Sequence, residues 1–253
     1  MPIAITRPVS PSLACCELTH VPRQALDWRR AARQHARYER ALASLGCTVQ
    51  HLPAEPDLPD AVFVEDAAVV LDELAVITRP GAQSRRPETT TVATALAPYR
   101  PLGHIVAPGT LDGGDVLHIG TRVFVGASTR SNRTGREQLR ALLAPHGYHV
   151  IDVAVAGCLH LKSAVTAVAD ETLLIQRAWV DAQAFRAFAL IDVDPAEPFA
   201  ANVLRVADAV LVPSAYRRTR RRLEGRGLRV RGVDVSELAK AEGGVTCCSL
   251  VVR

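Results

Sequence analysis

The chain has 253 residues, of which 48% are hydrophobic and 22% are charged. This composition supports a large buried core and excludes an extended disordered protein. The net charge of +4 is too small to require a nucleic acid or a membrane surface as partner. No apolar run approaches the roughly 20 residues of a membrane-spanning helix. The first residues also lack the basic and then apolar segments of a secretory leader.

The six cysteines are interpreted as reduced thiols rather than as disulfides. A chain of this length does not need covalent cross-links, and adjacent cysteines rarely bridge each other. The sequence therefore predicts a cytoplasmic protein with free thiols at Cys15, Cys16, Cys47, Cys158, Cys247 and Cys248.

In chain order, amphipathic helices that stop at a glycine alternate with pairs of short strands. The helix, glycine and strand pattern recurs at 41–52, 141–153 and 221–235. Glycine at each helix end permits the left-handed C-cap conformation. Alternating apolar and β-branched residues predict strand pairs at 61–81, 115–128 and 163–176, with turns at 72–73, 120–121 and 170–171, and a further strand at 207–214.

The predicted unit is therefore strand, strand, helix, strand, repeated about every 40–50 residues. We expect about five such units. The first is expected to be split, because the chain begins with its helix and third strand and the terminal CCSLVVR supplies another strand. Ends that share one unit close a ring. The alternative, an open doubly wound sheet, would alternate single strands with helices. No shift in composition marks a boundary, so residues 1–253 are predicted to form a single domain.

Residues that can carry chemistry collect at the starts of these units. They are Asp60, Glu65 and Asp66 in PDAVFVED, Asp112 and Asp115 in LDGGDV, His160 in LHLKS, and the pair Cys247 and Cys248. In a ring, the starts of all units converge at one end of the axis. A thiolate nucleophile, a histidine and carboxylates would then share one site. Clustered carboxylates favour a cationic substrate, and a guanidinium pairs well with them.

Each of these residues also has an ordinary structural explanation. A lone buried cysteine usually serves as a small apolar residue, and the glycines of LDGGDV are typical of a turn. The two acids of FVED are harder to explain in this way. They interrupt an apolar predicted strand, and burying carboxylates without partners is costly. A functional role is therefore favoured there.

Six segments in order resemble the dimethylarginine dimethylaminohydrolase family. They are PDAVFVED, RPGAQSRR, TLDGGDVL, FVGASTRSN, HLKS and GGVTCCSL. The family belongs to the guanidino-group-modifying enzymes, which include arginine deiminase. The resemblance covers nearly the whole chain. It implies an α/β fold, a five-bladed propeller of pseudo-symmetric ββαβ units, which agrees with the repeat found in the sequence.

The resemblance also implies an activity and roles for residues. The activity is hydrolysis of N-omega-methylated arginine, asymmetric dimethylarginine or monomethylarginine, to citrulline and dimethylamine or methylamine. Cys247 is the implied nucleophile, His160 the general acid and base, and Asp112 the acid that orients it. Implied substrate-binding residues are Leu18, Asp60, Glu65, Asp66, Arg85, Arg130 and Ala241. The acids would hold the guanidinium, the arginines the substrate carboxylate, and the backbone carbonyls of residues 18 and 241 the amino group.

Neither a cofactor nor a resident metal is expected, although zinc could bind the cysteine, histidine and acids adventitiously. The partner is a small molecule; neither a nucleic acid nor a membrane is predicted, and a homodimer is left open.

Two alternatives to this activity remain. One is a hydrolase of another guanidino compound, such as an arginine deiminase. The other is a non-catalytic protein that binds an arginine derivative, or nucleic acid through the basic run 215–232.

Overall fold

A computed structural model describes all residues from 1 to 253. The strands, in chain order, are β1 (Ile3–Thr6), β2 (Thr48–His51), β3 (Ala68–Val70), β4 (Ala75–Ile77), β5 (Leu102–His104), β6 (Val116–Ile119), β7 (Arg122–Ala127), β8 (His149–Ala154), β9 (Val165–Ala169), β10 (Thr172–Ile175), β11 (Ala189–Asp192), β12 (Leu204–Val206), β13 (Ala209–Pro213), β14 (Arg229–Val233) and β15 (Leu250–Val252). The α-helices are α1 (Trp28–Ser44), α2 (Thr89–Leu96), α3 (Arg133–Leu143), α4 (Leu161–Ala164), α5 (Arg217–Glu224) and α6 (Ser236–Ala239). Short 3₁₀ helices occupy Leu13–Cys15, Val64–Ala67, Gln83–Glu88, Gly113–Asp115, Ala144–His146 and Ala182–Phe185.

These strands form five separate sheets of three strands each. In every sheet the inner strand pairs antiparallel with the middle strand, and the middle strand pairs parallel with the outer one. The parallel pair needs a crossover connection, which explains why a helix follows most middle strands. The predicted five-bladed α/β propeller is confirmed. Only the β9–β10–β11 blade replaces the α-helix of the crossover with a 3₁₀ turn, Ala182–Phe185.

One blade is built from both ends of the chain, as predicted, but its composition differs from the prediction. The structure adds β1 as its middle strand, with β15 antiparallel on one side and β2 parallel on the other. The expected start, a helix followed by the third strand, was therefore incomplete. IAIT is only four residues long and lies between prolines, so its alternation is too short to be recognised.

The local predictions of turns are confirmed at the three hairpins, which join β3 to β4, β6 to β7 and β9 to β10. The glycines at 46, 147 and 227 all have positive φ, between 77° and 93°, as expected at helix ends. The FVED acids do not lie in a strand, however. They belong to the 3₁₀ turn Val64–Ala67, which precedes β3 and ends where the sheet begins.

The inner strands of all five blades surround a central channel. Residues of β3, β6, β9, β12 and β15 line a cavity of about 190 Å³ in it. The apolar core lies between the sheets and the helices packed on them, and each of its clusters draws on neighbouring blades. Because the inner strands are short, the turns that precede them come close together at one end of the channel. No helix is both long and apolar enough to cross a membrane.

Candidate active site

The turns that precede the inner strands, together with segments that follow the middle strands, build a small, partly enclosed cavity of about 20 Å³. Its lining consists of Glu17, Asp60, Phe63, Asp66, Arg85, Arg130, Leu159, His160, Ala241, Glu242, Gly243 and Cys247. A larger cavity of about 260 Å³ shares Leu159, Glu242 and Gly243 with it but holds no predicted catalytic residue. The chemistry therefore assigns the small cavity as the site. Its volume is close to that of one water molecule, so any substrate requires the cavity to open.

The glycine pair of LDGGDV lets the polar side chains of the site approach one another. A Cβ atom on Gly114 would lie 2.6 Å from both Asp66 Oδ1 and His160 Nδ1. A Cβ atom on Gly113 would lie 2.0 Å from the carbonyl oxygen of Glu65. Any side chain at either position would force the two turns apart. The glycines are thus required by close packing, beyond the turn that the sequence suggested.

His160 is held by carboxylates on more than one side. Its Nε2 lies 2.9 Å from Asp112 Oδ2, and its Nδ1 lies 3.7 Å from Asp66 Oδ1. Asp112 is fully buried, and its second oxygen accepts the Gly81 N–H at 2.8 Å. Burial alone would lower the pKa of His160, but the charges of Asp66, Asp112 and Asp115 outweigh it and raise that pKa to about 9. The imidazole is therefore protonated at neutral pH.

Asp115 fixes the backbone at His160 without facing the cavity. Its Oδ1 accepts the Leu161 N–H at 2.9 Å, and its Oδ2 accepts hydroxyl hydrogens of Ser128 and Ser131. The Ser131 hydroxyl in turn accepts the Asp112 N–H at 3.1 Å. The sequence grouped Asp115 with the candidate acids, and the structure shows that it ties the histidine and its orienting acid together.

Asp66 is buried among cationic partners. Its Oδ2 accepts Arg85 Nη1 at 2.5 Å, and its Oδ1 accepts the Gly114 N–H at 2.9 Å. Burial would raise the pKa of Asp66, but His160 and Arg85 reverse this and lower it to about 2. Asp66 therefore presents a fixed negative charge to the cavity across the physiological pH range.

Cys247 belongs to the turn between α6 and β15 and is partly exposed to the cavity. Its Sγ accepts the Gly244 N–H at 3.3 Å. Burial, followed by the charges of Glu65 and Asp66, raises the pKa of its thiol to about 12. The residue is thus a protonated thiol until a positive charge arrives. Cys248 is fully buried, and its Sγ faces the Gly244 carbonyl.

The two predicted arginines occupy different environments. Arg85 is 4% exposed and forms a bidentate ion pair with Glu88 in addition to its contact with Asp66. Its Nη2 also faces the carbonyl oxygens of Asp60 and Phe63. A guanidinium has five N–H donors, so these acceptors leave at most one, on Nη1. Arg130 is less committed: its Nη2 donates to the Thr19 hydroxyl at 3.1 Å, and its Nη1 lies 4.0 Å from Asp112.

We call residues 17–23 the lid, because Glu17 lines the cavity and the residues that follow it are held by Glu242, another lining residue. Glu242 holds it by accepting three consecutive backbone N–H groups, from Thr19, His20 and Val21, at 2.5–2.9 Å. Asp60 Oδ2 accepts the Glu17 N–H at 3.0 Å. The sequence did not single out Glu242 or Glu17. The available signal was the position of Glu242 directly before the glycine pair. In the structure Glu242 has a φ of 57°.

Not every predicted site residue faces the cavity. Leu18 packs against the largest apolar cluster, and any contact that it makes with substrate would be through its backbone. The Glu65 side chain lies on the other side of the Cys247 turn, where it lines the central channel. Asp60, Asp66, Arg85, Arg130, Ala241, His160 and Cys247 do line the cavity, and Asp112 lies behind His160.

One group of side chains in the site has the geometry of a metal-binding cluster. Ligand atoms of Asp66, Asp112 and His160 lie within 4.8 Å of one another. All three already have partners: Asp66 binds Arg85, and His160 binds Asp112. A metal would have to displace the acid that orients the histidine. This arrangement fits an inhibitory ion better than a resident one.

Comparisons with known proteins agree with this geometry. No protein-family model matches the chain. The chain is 41% identical over 252 residues to the N(G),N(G)-dimethylarginine dimethylaminohydrolase of Streptomyces coelicolor. The aligned region covers 99% of this chain and 96% of the relative. It superimposes with a TM-score of 0.94, at 35% identity over 98% of both chains, on a cysteine-to-serine mutant of the Pseudomonas aeruginosa enzyme in complex with citrulline. A histidine-to-glycine variant of a dimethylarginine dimethylaminohydrolase, as an adduct with S-methyl-L-thiocitrulline, gives a TM-score of 0.93 at 35% identity, again over 98% of both chains. The chain therefore belongs to the dimethylarginine dimethylaminohydrolase family.

Proposed function

We propose that this protein hydrolyses N-omega-methylated arginine to citrulline and the corresponding methylamine. The observation that carries the proposal is the meeting of Cys247, His160 and Asp66 in one small cavity. A thiol, an imidazolium and a permanent carboxylate there supply a nucleophile, a general acid and a site for a cation. The resemblance to a relative solved with citrulline supports the same product.

The substrate guanidinium binds against Asp66, with Asp60 nearby in the cavity wall. A guanidinium offers its N–H groups in a plane, and carboxylates accept them in charge-assisted pairs. The other end of the substrate carries a carboxylate, for which Arg130 is the available cation. Arg85, whose donors are almost all engaged, contributes mainly by fixing Asp66. The roles of Leu18 and Ala241 as backbone acceptors, and of Glu65 beside the alkylated nitrogen, stay predictions.

Catalysis begins when the bound cation lowers the pKa of the Cys247 thiol, because an adjacent positive charge favours the thiolate. The thiol proton leaves to solvent as the substrate binds, since His160 is already protonated. The sulfur attacks the central guanidinium carbon. His160, which starts as an imidazolium, gives its proton to the departing alkylamine. A thiouronium remains bonded to sulfur. Asp112 keeps the imidazole ring in position throughout, in the manner of the acid in a catalytic triad.

The second half-reaction uses the same histidine as a base. Neutral His160 takes a proton from water, and the resulting nucleophile attacks the thiouronium carbon. The C–S bond breaks and its electron pair goes to the Cys247 sulfur. As the C=O bond of citrulline forms, the added hydroxyl gives its proton to this thiolate, and His160 is again an imidazolium. Closure of the lid by Glu242 excludes bulk water during the first step.

The alternative of another guanidino substrate, plain arginine among them, requires the same chemistry and differs only in the pocket for the alkyl group. A methyl group contributes about 1–3 kcal/mol to such discrimination. Likeness to the N-terminal domain of the arginine dihydrolase ArgZ, at 18% identity and a TM-score of 0.86, concerns the fold alone.

Nucleic-acid binding through the basic run 215–232 is disfavoured, because Arg218, Arg220 and Arg222 face acidic partners there.

We also propose that residues 1–253 act as one catalytic domain, since β1 and β15 share a blade. A cytoplasmic location stays a prediction; it is supported by six cysteines that are all free. Neither a cofactor nor a resident metal is part of the proposed reaction. A homodimer remains open.

The test is citrulline formation from asymmetric dimethylarginine, monomethylarginine and arginine, compared in wild type, Cys247→Ser and Cys15→Ser. Cys15 is an exposed free thiol outside the cavity, so it is the matched control. The proposal expects turnover of the methylated substrates, little with arginine, loss in Cys247→Ser and full activity in Cys15→Ser. Turnover that survives in Cys247→Ser would contradict the assigned nucleophile. If arginine is the best substrate, the alternative activity is correct.

A further inference from the structure

A second polar cluster lies directly beneath the catalytic turn, and none of its side chains lines the substrate cavity. It consists of Glu65, Lys162, Asn202 and Thr246. Lys162 Nζ lies 2.6 Å from Glu65 Oε1, and the Thr246 hydroxyl donates to Glu65 Oε2 at 2.6 Å. Asn202 Nδ2 donates to the Thr246 hydroxyl at 2.9 Å and to the Lys162 carbonyl at 3.1 Å. Asn202 Oδ1 accepts the Thr246 N–H at 3.1 Å.

Three of the four members of this cluster are chain neighbours of the residues that react. Glu65 precedes Asp66 and Thr246 precedes Cys247, while Lys162 follows His160 by two residues. The Glu65 N–H also donates to the Cys247 carbonyl at 3.1 Å. The three turns that carry the nucleophile, the histidine and the guanidinium-binding acid are therefore joined through one ion pair and its hydrogen bonds.

The cluster faces the central channel rather than the substrate cavity. Glu65, Lys162 and Thr246 line the channel, whereas Asp66, His160 and Cys247 line the cavity. The side chains of Lys162 and Glu65 are 16% and 9% exposed. A carboxylate this deeply buried needs a cation or several donors to stay ionised. Lys162 is the cation paired with it here, since no other salt bridge is formed by Glu65.

We propose that Lys162 is a positioning residue for the reaction: through Glu65 and Thr246 it holds the Cys247 turn against the turn that carries Asp66. The inference rests on the proposed function. Burial raises the pKa of Glu65, and the Lys162 charge opposes this effect. Without the ammonium group this opposing effect is lost, so burial favours the neutral form of Glu65 more strongly. A protonated carboxyl group is a poorer acceptor for Thr246, so the link to the nucleophile loosens.

The test variant is Lys162→Met, which removes the charge and keeps most of the side-chain stem. Displacing reacting groups by about 1 Å costs roughly 100-fold in rate, so we expect kcat to fall about 10- to 100-fold while KM changes less than about 3-fold. Lys162 does not line the substrate cavity, which is why KM should be spared. Assays are run at a temperature where melting curves show wild type and variant folded.

A rescue variant separates positioning from general destabilisation. In Lys162→Met/Glu65→Gln, the neutral amide oxygen accepts from Thr246 without needing a cation beside it, which the side chain of Glu65 does need. We expect this double variant to recover at least about 5-fold in kcat over the single variant. The matched control is Arg229→Met, which breaks the exposed ion pair with Asp208 and should leave kcat and KM unchanged.

A substrate-free readout keeps this inference separate from the proposed function. The rate at which iodoacetamide alkylates Cys247, followed by mass spectrometry of its peptide, reports the exposure and ionisation of the thiol. We expect faster alkylation in Lys162→Met than in wild type. If wild type makes no citrulline but this difference persists, the proposed function fails and the positioning role stands. Unchanged alkylation with unchanged kcat, or an effect confined to KM, overturns the positioning role.

Discussion

The Asp112→Asn variant tests the electrostatic basis of the site most directly. The substitution keeps the shape of the side chain and an oxygen for the Gly81 N–H, but it removes the charge that lies 2.9 Å from His160 Nε2. At an effective dielectric constant of about 20, unit charges about 4 Å apart interact by about 4 kcal/mol. This figure is an upper limit on the effect, because the charges of Asp66 and Asp115 remain beside the imidazole.

The pKa of His160 gives an independent scale. Its value of about 9, against 6.5 for an ordinary histidine, corresponds to about 3 kcal/mol, which is the net of burial, which lowers the pKa, and of the acidic neighbours, which raise it. Loss of the hydrogen-bonded partner should lower the pKa by about 1–2 pH units. In addition, an asparagine NH₂ group that faces His160 Nε2 donates to it, so it favours the tautomer with the proton on Nδ1. We therefore expect kcat to fall about 10²- to 10⁴-fold.

The sign of the stability effect follows from the direction of the pKa shift. A histidine whose pKa is raised on folding stabilises the native state fully below about pH 6.5, and this contribution is lost as the pH rises through about 9. Wild type should therefore lose melting temperature across that interval because His160 loses its proton, and Asp112→Asn should lose less.

Three measurements check this reasoning: kcat by citrulline formation, melting temperature against pH, and titration of the His160 ring by NMR. Asp112→Glu, which keeps the negative charge, is the conservative variant and should retain far more activity than Asp112→Asn. Asp170→Asn, in the exposed turn between β9 and β10, is the control. A His160 that titrates near 9 in Asp112→Asn, or a kcat within about 3-fold of wild type, would refute the argument.

Further predictions concern the free enzyme, the lid and the substrate carboxylate. Cys247 and His160 are both protonated at pH 7 in the free enzyme, with pKa values of about 12 and 9. The reaction needs one of these two protons to be lost, so kcat/KM should rise with pH and level off near pH 9. A fall in kcat/KM above pH 7 would contradict this. Glu242→Gln should raise KM about 10-fold, because charge-assisted bonds to the lid contribute about 1.5–3 kcal/mol each. It should also speed proteolysis after Arg23, and an unchanged rate of cleavage there would count against this role of Glu242. Arg130→Gln should raise KM at least about 30-fold for methylarginine and far less for a substrate without the carboxylate, whereas equal effects on both would exclude a carboxylate contact.

Much of the fold was accessible from local sequence patterns. Hairpins such as β6–β7 were predicted with their turns, because strand alternation and turn residues act over a few neighbouring positions. Helix ends such as Gly147 follow from the same local rule. β1 was missed because four residues carry too little pattern and gain their stability from pairing with β15, about 250 residues away in the sequence.

The sequence by itself determined the reactive groups: the cysteine, the histidine and the acids of the site are recognisable from residue type and order, because the chemistry admits few substitutes. Only the tertiary structure decided which way each side chain faces. Asp66 points into the cavity and Glu65, its neighbour, into the central channel. A strand would also send these two neighbours to opposite sides, but nothing in the sequence tells which side is the cavity. The engagement of Arg85 by Glu88 and the closure of the lid by Glu242 likewise depend on groups brought together by the closed ring of blades. Contacts between residues far apart in the chain leave no local pattern, so they appear only once the ring has formed.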